Sequence, residues 1–441
     1  MRFYITTLGC PKNTVDSEMM AELLLEAGHT RVEQPRRADV LIANTCAFIA
    51  PAREESYQVL DELAAHKRPR QFLVVAGCLA QRYEEQLRAH LPQVDAILGT
   101  QSWPEIVRLV EGLTSEHPRR AVAIVGSGDL VASVRRRATS GASAYLKIAD
   151  GCDAACAFCA IPVIKGPQRS KPLAAVLREA QELAAEGVRE IVLIAQDTTA
   201  YGKERNAPQD AARAGLCGLV RALAETVPQV DWLRILYAYP QHVTAELIAT
   251  MASLPQVCHY LDLPLQHGHP DVLRRMRRPH DIETVYRLIE ALRQAMPDIA
   301  LRSTFIVGYP GETEAEFEGL LDLMRQVAFD KVGVFAYSAE EGTLAATLSD
   351  QVPAEVIAER YERAMLLQQE ISWERNQEQI GRTLEVLIEG VGEGLSIGRS
   401  YRDAPEIDGL VLLAGELPEG ELLPARIVAA QEYDLIATPL P

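Results

Sequence analysis

The chain has 441 residues, 48% apolar and 24% charged, with 61 acidic side chains against 44 basic ones and a net charge of −17. That length allows several cores, and that composition excludes long disorder. The charge disfavours a binder held to nucleic acid by phosphate neutralisation alone. No apolar run reaches the length of a membrane span, and MRFYITTLGCPKN lacks the apolar core of a secretory leader. Eight cysteines in so long a chain read as metal or catalytic thiols, not as a disulfide framework. The expected compartment is the cytoplasm.

Residues 1–115 alternate apolar strands with amphipathic helices. RFYITTLGC is followed by a helix over about Ser17 to Glu26, where Met19, Met20, Leu23 and Leu24 recur at helical spacing. DVLIANTC precedes a helix from about Arg53 to Ala65, QFLVVAGC one from about Gln81 to His90, and AILG at 96–99 reads as a fourth strand. This alternation predicts a doubly wound parallel sheet. Cys10, Cys46 and Cys78 each follow a strand directly, so all three fall on the sheet's carboxyl edge, where ligands bind. They can meet in space as a three-thiolate metal site with one metal position open. The alternative is three small buried hydrophobes, the commonest fate of a free cysteine.

Residues 116–143, with EHPRR, GSGD and RRRATSGAS, carry turn formers without periodicity and read as a linker. Arg135 to Arg137 read as a solvated basic turn, with partner contact as the second reading.

Residues 144–370 begin with AYLKIAD, a strand that leads into DGCDAACAFCAIPV. Cys152, Cys156 and Cys159 there form a C-x3-C-x2-C cluster with Phe158 before the third. Soft thiolates suit zinc, copper or an iron–sulfur cluster. Structural zinc takes four protein ligands, and no fourth follows at short range, so a four-iron cluster with one open iron fits better; zinc stays as the alternative. Further strands are read at 190–197, 232–239, 260–265, 300–309 and 331–338, with helical patterns between them. Six such strands predict a partial (βα) barrel with its chemistry at their carboxyl ends. Gln196, Asp197, Thr198 and Thr199 lie at one such end, Gln266 and His267 at another, and Tyr309 to Thr313, including Glu312, at a third. Gly308 and Gly311 would let backbone approach a ligand. His267 reads equally as a structural histidine or a ligand. Arg274, Arg275, Arg277 and Arg278 read first as a solvated helix face and second as substrate contacts. A long helix from about Ala354 to Ile380 connects this domain to the next.

Residues 371–441 comprise the end of that helix and then short alternating runs with Gly and Pro turns, which predict a small antiparallel β-barrel. From Gly381 onward four basic residues face eleven acidic ones, a balance of −7. Such a domain repels phosphates and suits a basic protein partner. Asp403, Glu406 and Asp408, in one loop, are its candidate partner-binding residues.

The whole chain resembles the radical S-adenosylmethionine (SAM) methylthiotransferases. LGCPKNTVDSE, ANTCAFI, GCDAACAFCAIP, IAQDTTAYG, LDLPLQHG, FIVGYPGET and GRSYRDAPEIDG carry the likeness. The resemblance is to the RimO type, which methylthiolates an aspartate of ribosomal protein S-twelve. It implies an N-terminal methylthiotransferase domain, a TIM-like radical SAM barrel and a C-terminal TRAM domain. It implies two 4Fe-4S clusters, an auxiliary one on Cys10, Cys46 and Cys78 and a SAM-cleaving one on Cys152, Cys156 and Cys159. It implies SAM as radical source and methyl donor, bound near Phe158, Gln196, Asp197, Gly308, Gly311 and Glu312. The implied partners are ribosomal protein S-twelve or the small ribosomal subunit and an electron donor such as flavodoxin. QDTT and the acidic last domain point away from the sister family that modifies adenosine in transfer RNA. A zinc-binding adaptor without catalysis is the reading from another class.

Overall fold

The computed structural model describes residues 1–113, 122–124, 134–137 and 141–440. The N-terminal sheet contains β1 (Arg2–Thr7), β2 (Thr30–Arg31), β3 (Val40–Thr45), β4 (Phe72–Gly77), β5 (Ala96–Gly99) and β6 (Val122–Ile124). Its order is β2-β1-β3-β4-β5-β6, and every pairing is parallel. Helices α1 (Pro11–Glu26), α2 (Ala50–His66), α3 (Cys78–Arg82), α4 (Glu84–His90) and α5 (Ile106–Glu111) connect and flank it. β3 is buried along its whole length, as befits a parallel strand covered on both faces.

Three expectations are corrected here. α1 starts at Pro11, not near Ser17, because proline is preorganised for the first helical position. The third helix is two short ones, split at Tyr83. Of the segment expected as a linker, residues 122–124 instead form the sixth strand of the sheet. Arg136 is not solvated either: it is 1% exposed, 2.7 Å from Glu18, and donates to the Tyr145 carbonyl at 2.9 Å. Residues 116–121, 125–133 and 138–140 of that segment lie outside the described residues.

The central domain is built on β7 (Ser143–Lys147), followed by a small pair, β8 (Ala149–Asp150) and β9 (Arg169–Ser170). The main sheet continues with β10 (Glu190–Ile194), β11 (Trp232–Ile235), β12 (Val257–Asp262), β13 (Ala300–Val307) and β14 (Lys331–Ala336). The order β14-β13-β12-β11-β10-β7 is all parallel, an open (βα) half-barrel. Helices α6 (Ile161–Lys165), α7 (Leu173–Ala185), α8 (Gln209–Thr226), α9 (Ala245–Ser253), α10 (Pro270–Arg275), α11 (Ile282–Ala295) and α12 (Glu314–Val327) complete it. Their apolar faces and the strands share one core that includes Leu193, Leu233, Leu261, Phe305 and Phe317. α13 (Ala354–Gln377) docks along this domain, with Gln368 donating to the Phe329 carbonyl at 3.0 Å and Ser372 to that of Asp330 at 3.1 Å.

The last domain is a closed barrel of β15 (Thr383–Gly392), β16 (Leu395–Ser400), β17 (Val411–Ala414), β18 (Leu422–Ala430) and β19 (Leu435–Pro439). It is not wholly antiparallel: the β17–β19 pair is parallel. The barrel covers the amino ends of the central strands. Arg399 lies 2.5 Å from Glu190 at the start of β10, Arg402 2.6 Å from Asp330 before β14, and Lys331 2.9 Å from Asp403. This overturns the expected docking role of Asp403 and Asp408. Asp403 is 3% exposed, and Asp408 is bound by Tyr260 at 2.6 Å and Arg302 at 3.3 Å. Of the three acids only Glu406 is exposed. The loop turns inward because it supplies counter-charges to cations of the half-barrel.

Candidate metal and cofactor centre

Each N-terminal cysteine sits where a parallel strand gives way to a loop or helix. Gly9 and Gly77, before Cys10 and Cys78, both have φ of +95°, a conformation that side chains rarely adopt. Space demands glycine as well: a Cβ on Gly9 would lie 2.9 Å from Cys46 Sγ, and one on Gly77 2.4 Å from Asn44 Oδ1. Asn13, in the first turn of α1, clasps the three loops. Its Nδ2 donates to the carbonyls of Leu8 at 2.8 Å and Thr45 at 3.2 Å, and its Oδ1 lies 3.9 Å from Cys78 Sγ. Ser56 of α2 accepts from the Cys46 amide at 3.0 Å.

The second triad lies in the loop after β8. The Cys152 amide donates to the Gly166 carbonyl at 3.1 Å, and the Ala157 amide to that of Met276 at 2.9 Å. Phe158 packs against Val272, Met276, Tyr309 and Ala345. Arg278 is 7% exposed, with Nη1 3.9 Å from Cys156 Sγ and its guanidinium 4.2 Å from the Tyr239 ring centre. It also donates to the Pro264 carbonyl. Arg278 is therefore not on a solvated face, whereas Arg274 is exposed and pairs with Asp271.

The segments that carry the two triads pack together across the domain boundary. Ala160, which follows Cys159, and Ile164 of α6 pack in the same buried cluster as Cys78, Leu79 and Ala80. Beneath this contact Asp16 of α1 takes Lys147 and Lys165, the latter at 3.4 Å, while Asp150 lies 3.3 Å from each lysine. Lys12 lies above the Tyr237 ring, its Nζ 3.1 Å from the centre. Burial lowers the Lys12 pKa to about 8, against the upward pull of the Cys10 thiol and Asp262. Burial raises the thiols, Cys46 and Cys152 to about 11 and Cys159 to about 12, so loading a metal releases their protons.

Among the described residues, the group of three ligating atoms gathered within 4.8 Å of one another is His269, Asp271 and Glu316; neither cysteine triad is that tight. Tetrahedral zinc with Zn–S of about 2.3 Å needs sulfurs about 3.8 Å apart. Three soft sulfur donors without a fourth protein ligand among the described residues fit a multi-iron cluster with one iron open.

A cleft of about 340 Å³ opens beside the second triad, lined by Asp153, Ala154, Gln168, Asp197, Tyr239 and His242 among others. That volume is at the lower end of small-molecule sites, ~300–1,000 Å³. Asp197 accepts from Thr199 Oγ1 at 2.6 Å and lies 2.8 Å from His242 Nδ1. Neighbouring Gln196 keeps Oε1 buried with no hydrogen-bond partner among the described residues, an acceptor open to a ligand.

Residues 2–99 match the Uncharacterized protein family UPF0004, residues 146–324 the Radical SAM superfamily and residues 380–440 the TRAM domain. The chain is 51% identical to the ribosomal protein uS12 methylthiotransferase RimO of Chloroflexus aurantiacus, over 99% of each chain. It is 50% identical to the protein of that name from Roseiflexus sp., covering 99% of this chain and 96% of that one. The chain belongs to the RimO family of methylthiotransferases. Solved structures share the fold of the RimO-family chain at low identity. The radical SAM methyltransferase TsrM of Kitasatospora setae, with tryptophan and a SAM analogue bound, has a TM-score of 0.58 at 13% identity, covering 84% of this chain and 89% of that one. The cobalamin-dependent radical enzyme OxsB has a TM-score of 0.54 at 10% identity, over 83% of this chain and 56% of that one.

The carboxyl end of β13 departs from expectation. A Cβ on Gly308 would meet the Ile357 side chain at 2.3 Å, so glycine there makes room for α13. Glu312 has a buried side chain that accepts from the Gly308 amide at 3.0 Å and pairs with Arg360 at 2.9 Å, shaping the turn from within. Gly311, with φ of +74°, donates to the Asp350 carbonyl in the same turn. His267 is fully buried, accepts from the His269 amide at 2.9 Å and lies 3.5 Å from Glu312, which makes it structural. Lys12, Gln168 and His242 were missed because nothing in periodicity or spacing marks them. They are drawn from three separate stretches of chain.

Proposed function

We propose that this chain methylthiolates the β-carbon of an aspartate in ribosomal protein uS12. One observation carries the reading: two three-thiol sites, each short of a fourth protein ligand among the described residues, lie on either side of one buried domain contact. Cys152, Cys156 and Cys159 would hold the SAM-cleaving 4Fe-4S cluster, and Cys10, Cys46 and Cys78 the auxiliary one. When bound, the clusters and SAM would supply the one-electron chemistry that removes a hydrogen no protein base can take, together with the methyl group. The chain's own part is to bind, orient and shield. Asp197 and Gln196 offer acceptors in the cleft beside the second triad. Arg278 places a fixed cation at Cys156, and the Asp16–Lys147–Asp150–Lys165 network locks the two domains in register. An electron donor such as flavodoxin and a cytoplasmic setting accompany this reading. Among the described residues no helix is long and apolar enough to cross a membrane. Transfer RNA remains the disfavoured substrate.

Anaerobically reconstituted protein is expected to hold about eight irons, and about half as many after Cys152, Cys156 and Cys159 are all changed to Ala. The Cys10, Cys46, Cys78 triple variant should still cleave SAM but form no methylthiolated uS12, as read by mass spectrometry. Methylthiolated product from that variant, or stoichiometric zinc without iron, would overturn the assignment.

A further inference from the structure

Lys12 is the one cation of the buried contact between the N-terminal and central domains that takes no carboxylate among the described residues. It is 6% exposed, and no hydrogen bond or ion pair reaches its ammonium; its contact is the face of Tyr237 at 3.1 Å. Its neighbours in that contact are neutralised: Lys147 and Lys165 share Asp16 and Asp150. Asp262 is occupied by Arg302 at 2.9 Å and the Tyr237 amide at 3.1 Å, which leaves the Cys10 thiol, two residues back, as the nearer charge acting on Lys12. A buried cation without a counter-ion is costly, and an aromatic face compensates only part of that cost. The position is also held under strain. Tyr237, just past the carboxyl end of β11, has φ of +60°, rare for an aromatic residue and retained only where surrounding contacts enforce it. The Asp262 carboxylate and the Thr198 amide, which donates to the Tyr237 carbonyl at 3.1 Å, are those contacts.

The ammonium thus hangs at the mouth of the half-barrel, two residues beyond Cys10 and within the field of Asp150, which precedes the second triad. A reacting carbon has to sit between the two triads. We propose that Lys12 recognises the side-chain carboxylate of the substrate aspartate, supplying the ion pair that this chain leaves unmade. The inference rests on the uS12 reading above and deepens it. In aspartate the β-carbon is bonded directly to the carboxylate, so a grip on the carboxylate sets the position of the carbon to be thiolated. Glutamate held by the same group would present its γ-carbon there instead. Asparagine would keep the shape but lose the charge.

The test uses the full-length holoprotein and uS12-derived peptides carrying Asp, Asn or Glu at the modified position, with binding measured anaerobically and iron content recorded. Wild-type protein should prefer Asp over Asn by roughly tenfold or more, the size expected for a charge-assisted hydrogen bond. Lys12→Met should bring the two peptides to within about threefold by weakening the Asp peptide alone. Lys12→Arg should keep a preference for Asp. Equal weakening of both peptides would overturn the proposal, as would a preference that survives in Lys12→Met. If Lys12→Met and Lys12→Gln both lose the auxiliary iron, the lysine serves the cluster and the proposal is again overturned. If wild-type protein methylthiolates neither the peptide nor intact uS12, the substrate reading itself falls and the inference with it. Modification by wild type with an unchanged preference in Lys12→Met removes the inference alone.

Discussion

Gly9 and Gly28 share a left-handed backbone, with φ of +95° and +84°, but differ in what surrounds them. A Cβ on Gly28 meets nothing within 4 Å, whereas one on Gly9 meets Cys46 Cβ at 2.6 Å and Sγ at 2.9 Å. Gly28→Ala should therefore cost only the conformational strain, ~1–2 kcal/mol. Gly9→Ala should cost more and displace a thiol, so thermal unfolding shifts further and iron retained by the N-terminal triad falls. Equal shifts and equal iron in the two variants would show that the close approach to Cys46 does not matter. Asn13 acts at the same scale. Asn13→Ala strips a donor from the Leu8 and Thr45 carbonyls, and buried acceptors left unpaired cost ~1–3 kcal/mol. Denaturant midpoints measured without iron should fall accordingly, because both lost bonds are made to backbone carbonyls.

At the scale of elements, α1 does two jobs along its length. Met19, Met20 and Leu24 pack on the N-terminal core, while Lys12 and Asp16, nearer its start, reach Tyr237, Lys147 and Lys165 of the central domain. Apolar periodicity locates the first stretch and is blind to the second, which is why the spacing predicts a start near Ser17 and the helix starts at Pro11. Asp16→Asn leaves Lys147 and Lys165 with Asp150 as their remaining acid. Breaking one partner of a buried ion pair costs ~3–5 kcal/mol, and here the loss falls on the contact between domains. Limited proteolysis should then separate the N-terminal sheet from the central domain sooner than in wild type; unchanged cleavage kinetics would argue against α1 as the lock.

For the whole molecule, the C-terminal barrel is held by charges that its net −7 conceals. Arg399 joins Glu190 at 2.5 Å and Glu389 at 2.5 Å, and Arg234 lies 2.6 Å from Glu190 on the other side. Burial alone would raise the Glu190 pKa, but the two arginines outweigh it and hold it at about 2, below the ordinary 4.5. A carboxyl depressed in the folded state adds stability that is full above about pH 4.5 and disappears as pH falls toward 2. Unfolding free energies followed across that window should fall steeply in wild type and less steeply in Glu190→Gln; identical slopes would contradict the coupling. Asp408→Asn should loosen the same docking through Tyr260 and Arg302. Differential scanning should show the barrel's transition moving away from that of the central domain, with uS12 affinity affected only through that loosening.

The order of strands and helices, the half-barrel and both cysteine triads were legible in the linear chain. Parallel strands buried on both faces write themselves as apolar runs, and a residue directly after such a strand must fall on the sheet's carboxyl edge. DVLIANTC and QFLVVAGC alone place Cys46 and Cys78 on one rim. Family likeness supplied the chemistry that spacing left open between zinc and iron. What tertiary structure decided was the fate of charge. Asp403 and Asp408 read as surface acids in sequence and are interior partners of Lys331 and Arg302; Arg136 and Arg278 read as solvated and are buried; Lys12 gave no signal at all. A charged side chain looks the same in sequence whether its counter-ion is water or a residue more than a hundred positions away. Only the packing of one domain on another determines which cations are matched, and which one is left waiting for a ligand.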